Sequence, residues 1–178
     1  ASLRWDAGAG TPLDGQVAPR QLEGLAAALH ASLLSGAMKK VFDLTMEYAN
    51  ERVQFGKPIG KFQAVQHQLS LMAEHVAAAA IAAKAASHTH DGRVPDFPAC
   101  GPAKARASEA AQLVASIAHA VHGAIGATEE YDLQLFTRRL HEWRTAHGSE
   151  AYWYRELGRL CLASDERSLT DLARTVFA

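Results

Sequence analysis

The stretch YANERVQFGKPIGKFQAVQHQLSLMAEH, residues 48–75, decides how this chain is built. Its first residues close a long apolar pattern that ends near Arg52. Gly56, Pro58 and Gly60 then interrupt, and glycine and proline are the residues least able to continue a helix. From Phe62 the pattern resumes through Val65, Leu69 and Met72, in the three- and four-residue steps of a helix stripe. Two helical runs joined by so short a break belong side by side, as neighbours in an up-and-down bundle.

Reading outward gives the rest of the plan. Upstream, Pro19 opens the first run, and Leu22, Leu25, Leu29, Leu33, Ala37, Val41, Leu44 and Tyr48 fall on one stripe. Residues 1–18 carry Gly, Pro and Asp without periodicity and read as a linker, or as the tail of an upstream domain. Downstream, the second run reaches His90 through Val76, Ala80 and Ala83, and Asp91-Gly92 stops it. Pro95, Pro98 and Pro102 punctuate a connection. A third run, 103–121, passes through Ala107, Val114, Ile117 and Val121. The segment HGAIG (122–126) is a glycine-bearing turn. Shorter helices are expected over 130–140 and 150–162. A tail helix over 165–177 would place Leu169, Leu172, Val176 and Phe177 together. The expectation is an all-α chain: an up-and-down four-helix bundle with short extra helices over 19–163, followed by a C-terminal amphipathic helix over 164–178.

Composition agrees and sets bounds. The chain has 178 residues and is 48% hydrophobic, much of it alanine, the best helix former. Its net charge of −1 offers no basic field for nucleic acid. Cys100 and Cys161 lie far apart and read as reduced thiols. No uncharged run of about 18 apolar residues suggests a membrane span, so a cytoplasmic location is expected. Nine histidines invite a metal. His88 and His90 sit at a helix end, and His119 and His122 are three apart, but no third spaced ligand joins them and no metal is expected. Trp143, Tyr152, Trp153 and Tyr154 read as packing aromatics.

Periodicity stops at the bundle. Residues 48–75 resemble the acyl-CoA dehydrogenase family closely, in its Y-A-x-x-R-x-x-F-G-K-P-I-x-x-F-Q-x-x-Q run. KARASEAA (104–111) and HGAIGATEEYDLQLFTRR (122–139) are similar to the family's third long helix and its H-G-G-x-G-x-x-x-E-Y segment. The resemblance spans roughly residues 20–162 and matches only the family's C-terminal bundle. It implies FAD held across a subunit boundary, an acyl-CoA substrate, a homologous subunit in a homo- or hetero-oligomer (dimer or tetramer), and electron-transfer flavoprotein as acceptor. Arg52 matches the arginine that meets the FAD diphosphate, where a planar guanidinium gives charge-assisted, bidentate bonds to phosphate. Gln54, Phe55, Phe62 and Gln63 match neighbouring cofactor contacts. Gly123 and Gly126 match glycines that let backbone approach the adenosine. Ser149 matches a hydroxyl that reaches FAD, and is also a fit N-cap. Two positions depart from the family: Ala124 replaces a glycine, and Ala120 replaces a glutamine.

The resemblance also implies α,β-desaturation of an acyl-CoA thioester, with a base to remove the α-proton. The family's glutamate directly precedes the Gly-Thr/Ser step, and here that position is His147, after Ala146. A second family group carries the glutamate on the first helix, at a position that falls near Ala26, with Glu23 a turn away. Glu142 and Glu150 are out of register. Three readings stay open. The chain is a base-free subunit completed by a partner, His147 is the base, or the fold serves a flavin monooxygenase. A non-catalytic assembly subunit is a further alternative.

Overall fold

The computed structural model describes residues 18–87 and 97–165, together with positions 168, 170, 171 and 174. Most of the expected tail helix, residues 1–17, and the histidines at 88 and 90 lie outside the described residues.

The described residues form five α-helices: α1 Pro19–Glu51, α2 Gln63–Ser87, α3 Phe97–His122, α4 Leu133–Thr145 and α5 Glu150–Ala163. Pro19 begins α1, where its missing N–H costs nothing, and the Gln21 side chain caps the Ala18 N–H at 2.9 Å. Tyr48 of α1 reaches His122 at the end of α3, so these two helices run the same way. Helix α2 returns between them in sequence. Helix α4 also runs back, because Lys104 near the start of α3 meets the carbonyl of Arg144 at the end of α4.

Helix α3 is the central element. Ala103, Ala105, Ala107, Ala110, Ala111, Val114, Ala115 and Ala118 are all buried, on several faces. Alanines there let α1 and α2 approach closely, and they explain how so apolar a helix is satisfied inside the bundle. Helices α2 and α3 are long and apolar enough by length and composition to cross a bilayer, and α3 is covered by other helices of the fold. Helix α3 also starts earlier than its prolines suggest. Pro98 lies in the first turn, where the N–H is unbonded anyway, so only Pro102 removes a helix hydrogen bond.

The buried stripe of α1 keeps Ala37 and Val41 of the expected one and departs from it in the first half of the helix. Ala27, Ala31, Leu34, Met38, Val41, Thr45 and Ala49 face the core, whereas Leu22, Leu29 and Leu33 are about half exposed. The break between α1 and α2 is a two-stranded hairpin, β1 Val53–Gln54 and β2 Lys57–Pro58, joined by the two-residue turn Phe55-Gly56. Both turn residues have positive φ, 52° and 79°, the pattern of the hairpin turn that matches strand twist. Two strand residues on each side leave no alternation to read, so the sequence shows only a break.

Candidate functional site

The residues singled out in the sequence gather at two ends of the bundle. At one end, Arg52 caps α1 and its side chain is exposed. Its own backbone is fixed on both sides: the N–H donates to Tyr48 O at 2.9 Å, and the carbonyl accepts from Ile59 N at 2.8 Å. Gly60 lets the hairpin lie on the last turn of α1, since a Cβ there would sit 3.0 Å from Ala49 O. Phe55, at the hairpin tip, is 93% exposed and meets Phe62 edge-on at 6.1 Å. Lys57 covers the other ring, 4.4 Å from the Phe62 centroid. Gln54 and Gln63 are exposed beside them. A bulky aromatic held left-handed with its surface bare is costly in water. A cation and an aromatic face on a rigid hairpin suit a phosphate joined to a flat ring, so these residues fit a flavin dinucleotide.

The glycine turn lies at the same end. Tyr48, one turn before Arg52, stacks on His122 at 4.4 Å, and its hydroxyl donates to His122 O at 3.3 Å. His122 is buried, Nδ1 bonds Ala118 O at 2.8 Å, and burial pushes its pKa down. His119 instead bonds Thr137 Oγ1 at 3.0 Å, so both histidines serve packing. The two glycines differ in what they do. Gly123 is exposed with φ 66° and open space where a Cβ would be. Gly126 is buried, and a Cβ would come within 2.9 Å of His122 and Leu133. Gly126 is therefore demanded by packing inside the chain, which the sequence alone did not distinguish from an approach to a cofactor.

The other end holds His147. It is left-handed, φ 53°, and Gly148 follows at φ 95°. Three groups pin this turn. The buried Lys104 ammonium donates to Gly148 O at 2.8 Å, to Arg144 O at 2.9 Å and to Ser108 Oγ at 2.7 Å, using all three protons. Desolvation lowers its pKa to about 8. Trp153, fully buried, donates its indole N–H to His147 O at 3.0 Å. Ser149 caps α5 by accepting from Tyr152 N at 3.4 Å. The backbone is thus fixed while the His147 ring stays exposed.

That ring meets another that the sequence did not single out. His30 of α1 lies with its centroid 4.6 Å from that of His147. His30 Nδ1 is 3.0 Å from Ala26 O. His30 lines an apolar groove of about 660 Å³ where α1 and α4 part, together with Leu29, Leu33, Ala37, Phe136 and Trp143, and its contact with the His147 ring sets that ring beside the groove. The exposed Leu29 and Leu33 of α1 are explained by this groove. No sequence signal linked His30 to His147, because they come from opposite halves of the chain.

The carboxylates at this end are engaged. Glu150 pairs with Arg144, whose hydrogen bonds hold its carboxyl below the usual range. Glu23 accepts from the Tyr152 hydroxyl. Glu142 lies on the surface, paired with Arg139 at 2.7 Å. The aromatics also separate: Trp153 is core, Trp143 lines the groove, and Tyr154 bonds Glu109 at 2.8 Å.

The two ends are far apart. At 1.5 Å per residue, His30 and Arg52 stand about 30 Å apart along α1. One chain does not bring them together.

A family profile for the acyl-CoA dehydrogenase C-terminal domain matches residues 18–160. The chain is 39% identical over 121 residues to acyl-CoA dehydrogenase IpdE2 of Mycolicibacterium smegmatis, covering 67% of this chain and 37% of that protein. Among solved structures, a glutaryl-coenzyme A dehydrogenase in complex with glutaryl-CoA superposes with a TM-score of 0.75 at 31% identity, over 80% of this chain and 36% of the other. The ChsE4–ChsE5 complex of Mycobacterium tuberculosis superposes with a TM-score of 0.76 at 25% identity, over 82% of this chain and 40% of the other. The chain spans roughly a third of the length of the relatives it matches.

Proposed function

The chain belongs to the acyl-CoA dehydrogenase family, whose C-terminal domain it matches, and from that premise we propose that it is the helical bundle of a flavin-dependent acyl-CoA dehydrogenase. It acts on an acyl-CoA thioester and is completed by a homologous subunit that carries the glutamate base, with electron-transfer flavoprotein as the acceptor. The observation that carries this reading is the separation of the two ends: a bare Arg52–Phe55 hairpin at one, and about 30 Å away a His147 turn whose neighbouring carboxylates, Glu23 and Glu150, are already paired. Each end is half a site, which is what a chain working across a protein boundary presents.

Bound FAD supplies the acceptor for the β-hydride. The residues of this chain bind and orient. Arg52 offers a guanidinium fork to the diphosphate. Phe55 offers a flat wall, braced by Phe62, and Gln54 and Gln63 offer amides. Gly123 leaves backbone open where a side chain would intrude. At the other end the α1–α4 groove receives the acyl group and excludes water from it. A complex of two differently named chains among the structural neighbours supports a two-subunit arrangement.

Expression alone and expression with a homologue bearing the glutamate test this reading. Alone, the chain is expected to purify without flavin absorbance and without turnover. Together, the two are expected to co-purify yellow and to desaturate an acyl-CoA. A chain that co-purifies with the homologue but leaves its flavin content and turnover unchanged is an assembly subunit instead.

A further inference from the structure

We propose that His30, which lines the α1–α4 groove, and His147, which packs on it, act as one proton-accepting pair, with His147 as the base and His30 as its positioning residue. Given the acyl-CoA reading above, this makes the chain's own end proton-accepting rather than inert.

The contact of the His30 ring with α1 sets its tautomer. A carbonyl oxygen can only accept, so the 3.0 Å contact with Ala26 O places the proton of neutral His30 on Nδ1. Its Nε2 therefore carries a lone pair. His147 packs against this ring at 4.6 Å, tilted by 52°. Its backbone is held by Trp153 through its own carbonyl and by Lys104 through the carbonyl of Gly148. One imidazole has its tautomer set and the other has its backbone held, and His30 itself lines the apolar groove. The carboxylates on the flanking elements, Glu23 and Glu150, already accept from Tyr152 and Arg144.

The step is a proton transfer and needs no oxidant. A ring nitrogen of His147 takes the proton from the carbon next to the thioester carbonyl. That C–H bond breaks, an N–H bond forms, and the electron pair delocalises onto the thioester as an enolate. The reverse step returns a solvent-derived proton to the same carbon. Contact with the His30 ring holds the otherwise exposed His147 ring in place for this transfer.

Deuterium exchange into 3,3-dimethylbutanoyl-CoA reads this step alone, since that thioester has no β-hydrogen to lose. The material is the flavin-loaded assembly in which the partner's glutamate base is replaced by glutamine. Mass spectrometry is expected to show deuterium entering the α-carbon with wild-type chain, and only background exchange with His147→Ala. His30→Phe keeps a flat ring but no nitrogen, and His30→Gln keeps polarity but no ring. Both are expected to slow exchange about tenfold or more at an unchanged half-saturating acyl-CoA concentration. Exchange at the wild-type rate in a folded His30 variant overturns the pairing. No exchange in a wild-type assembly that binds flavin and thioester overturns the pair as a base and leaves the flavoprotein reading standing. A wild-type assembly that binds no flavin removes both.

Discussion

Lys104 shows how much of the site rests on one side chain. It is fully buried, and its ammonium satisfies two carbonyls that end α4 and flank His147. Because burial lowers its pKa to about 8, the folded chain releases this proton while an unfolded lysine, near 10.4, still holds it. Unfolding therefore takes up a proton between those values, and stability rises with pH across that window. The rise is expected to be on the order of 1–2 kcal/mol after allowing for solvent screening. Urea unfolding at pH 7.5 and 9.5 checks it, and Lys104→Met should abolish the difference. Gly148 is the other residue on which the turn depends. Its φ of 95° disfavours any side chain, and a Cβ would lie 2.6 Å from Tyr152 and 2.7 Å from Trp153. Gly148→Ala is expected to cost about 3 kcal/mol in urea unfolding, combining backbone strain with overpacking. The sequence marked Gly148 and His147 by motif position, but not the lysine that holds them, since a lysine in an alanine-rich helix reads as surface.

At the scale of elements, the hairpin between α1 and α2 separates stability from binding. Gly56 is exposed, and an added Cβ would meet nothing within 4 Å, so its only demand is its φ of 79°. Gly56→Ala is expected to cost about 1 kcal/mol. By differential scanning calorimetry that is a fall of a few degrees in a chain of this size. Flavin retention should fall much further, because Phe55 and Arg52 lose their shared frame. The helices were legible from periodicity, and their order was correct. Which face of α1 is buried was not. A stripe drawn through Leu22, Leu29 and Leu33 and another through Ala27, Ala31, Leu34 and Met38 both have helical spacing. The core took Leu34 and Met38 together with the small Ala27 and Ala31 that let α3 approach, and left Leu29 and Leu33 to the groove. Helix α3 was likewise read short, because prolines in a first turn look like a linker until the turn is seen.

For the whole molecule, the decisive fact is length. The stretch of α1 from His30 to Arg52 sets the two candidate ends about 30 Å apart, so one chain does not enclose both. The bundle and the order of its helices could be read from the sequence, but the convergence of His30 on His147 could not, since it depends on how α4 folds back along α1 and α5 along α3. The central claim is that Arg52 binds the flavin diphosphate at a boundary with another chain. The flavin-to-protein ratio of the co-purified assembly, wild type against Arg52→Gln, tests it most directly. Loss of a charge-assisted, bidentate contact corresponds to a factor of about 10–100 in affinity. Flavin content should therefore collapse on dilution, while the melting temperature of the chain alone stays within a few degrees. Retention of flavin at the wild-type ratio, with the assembly intact, would contradict the claim.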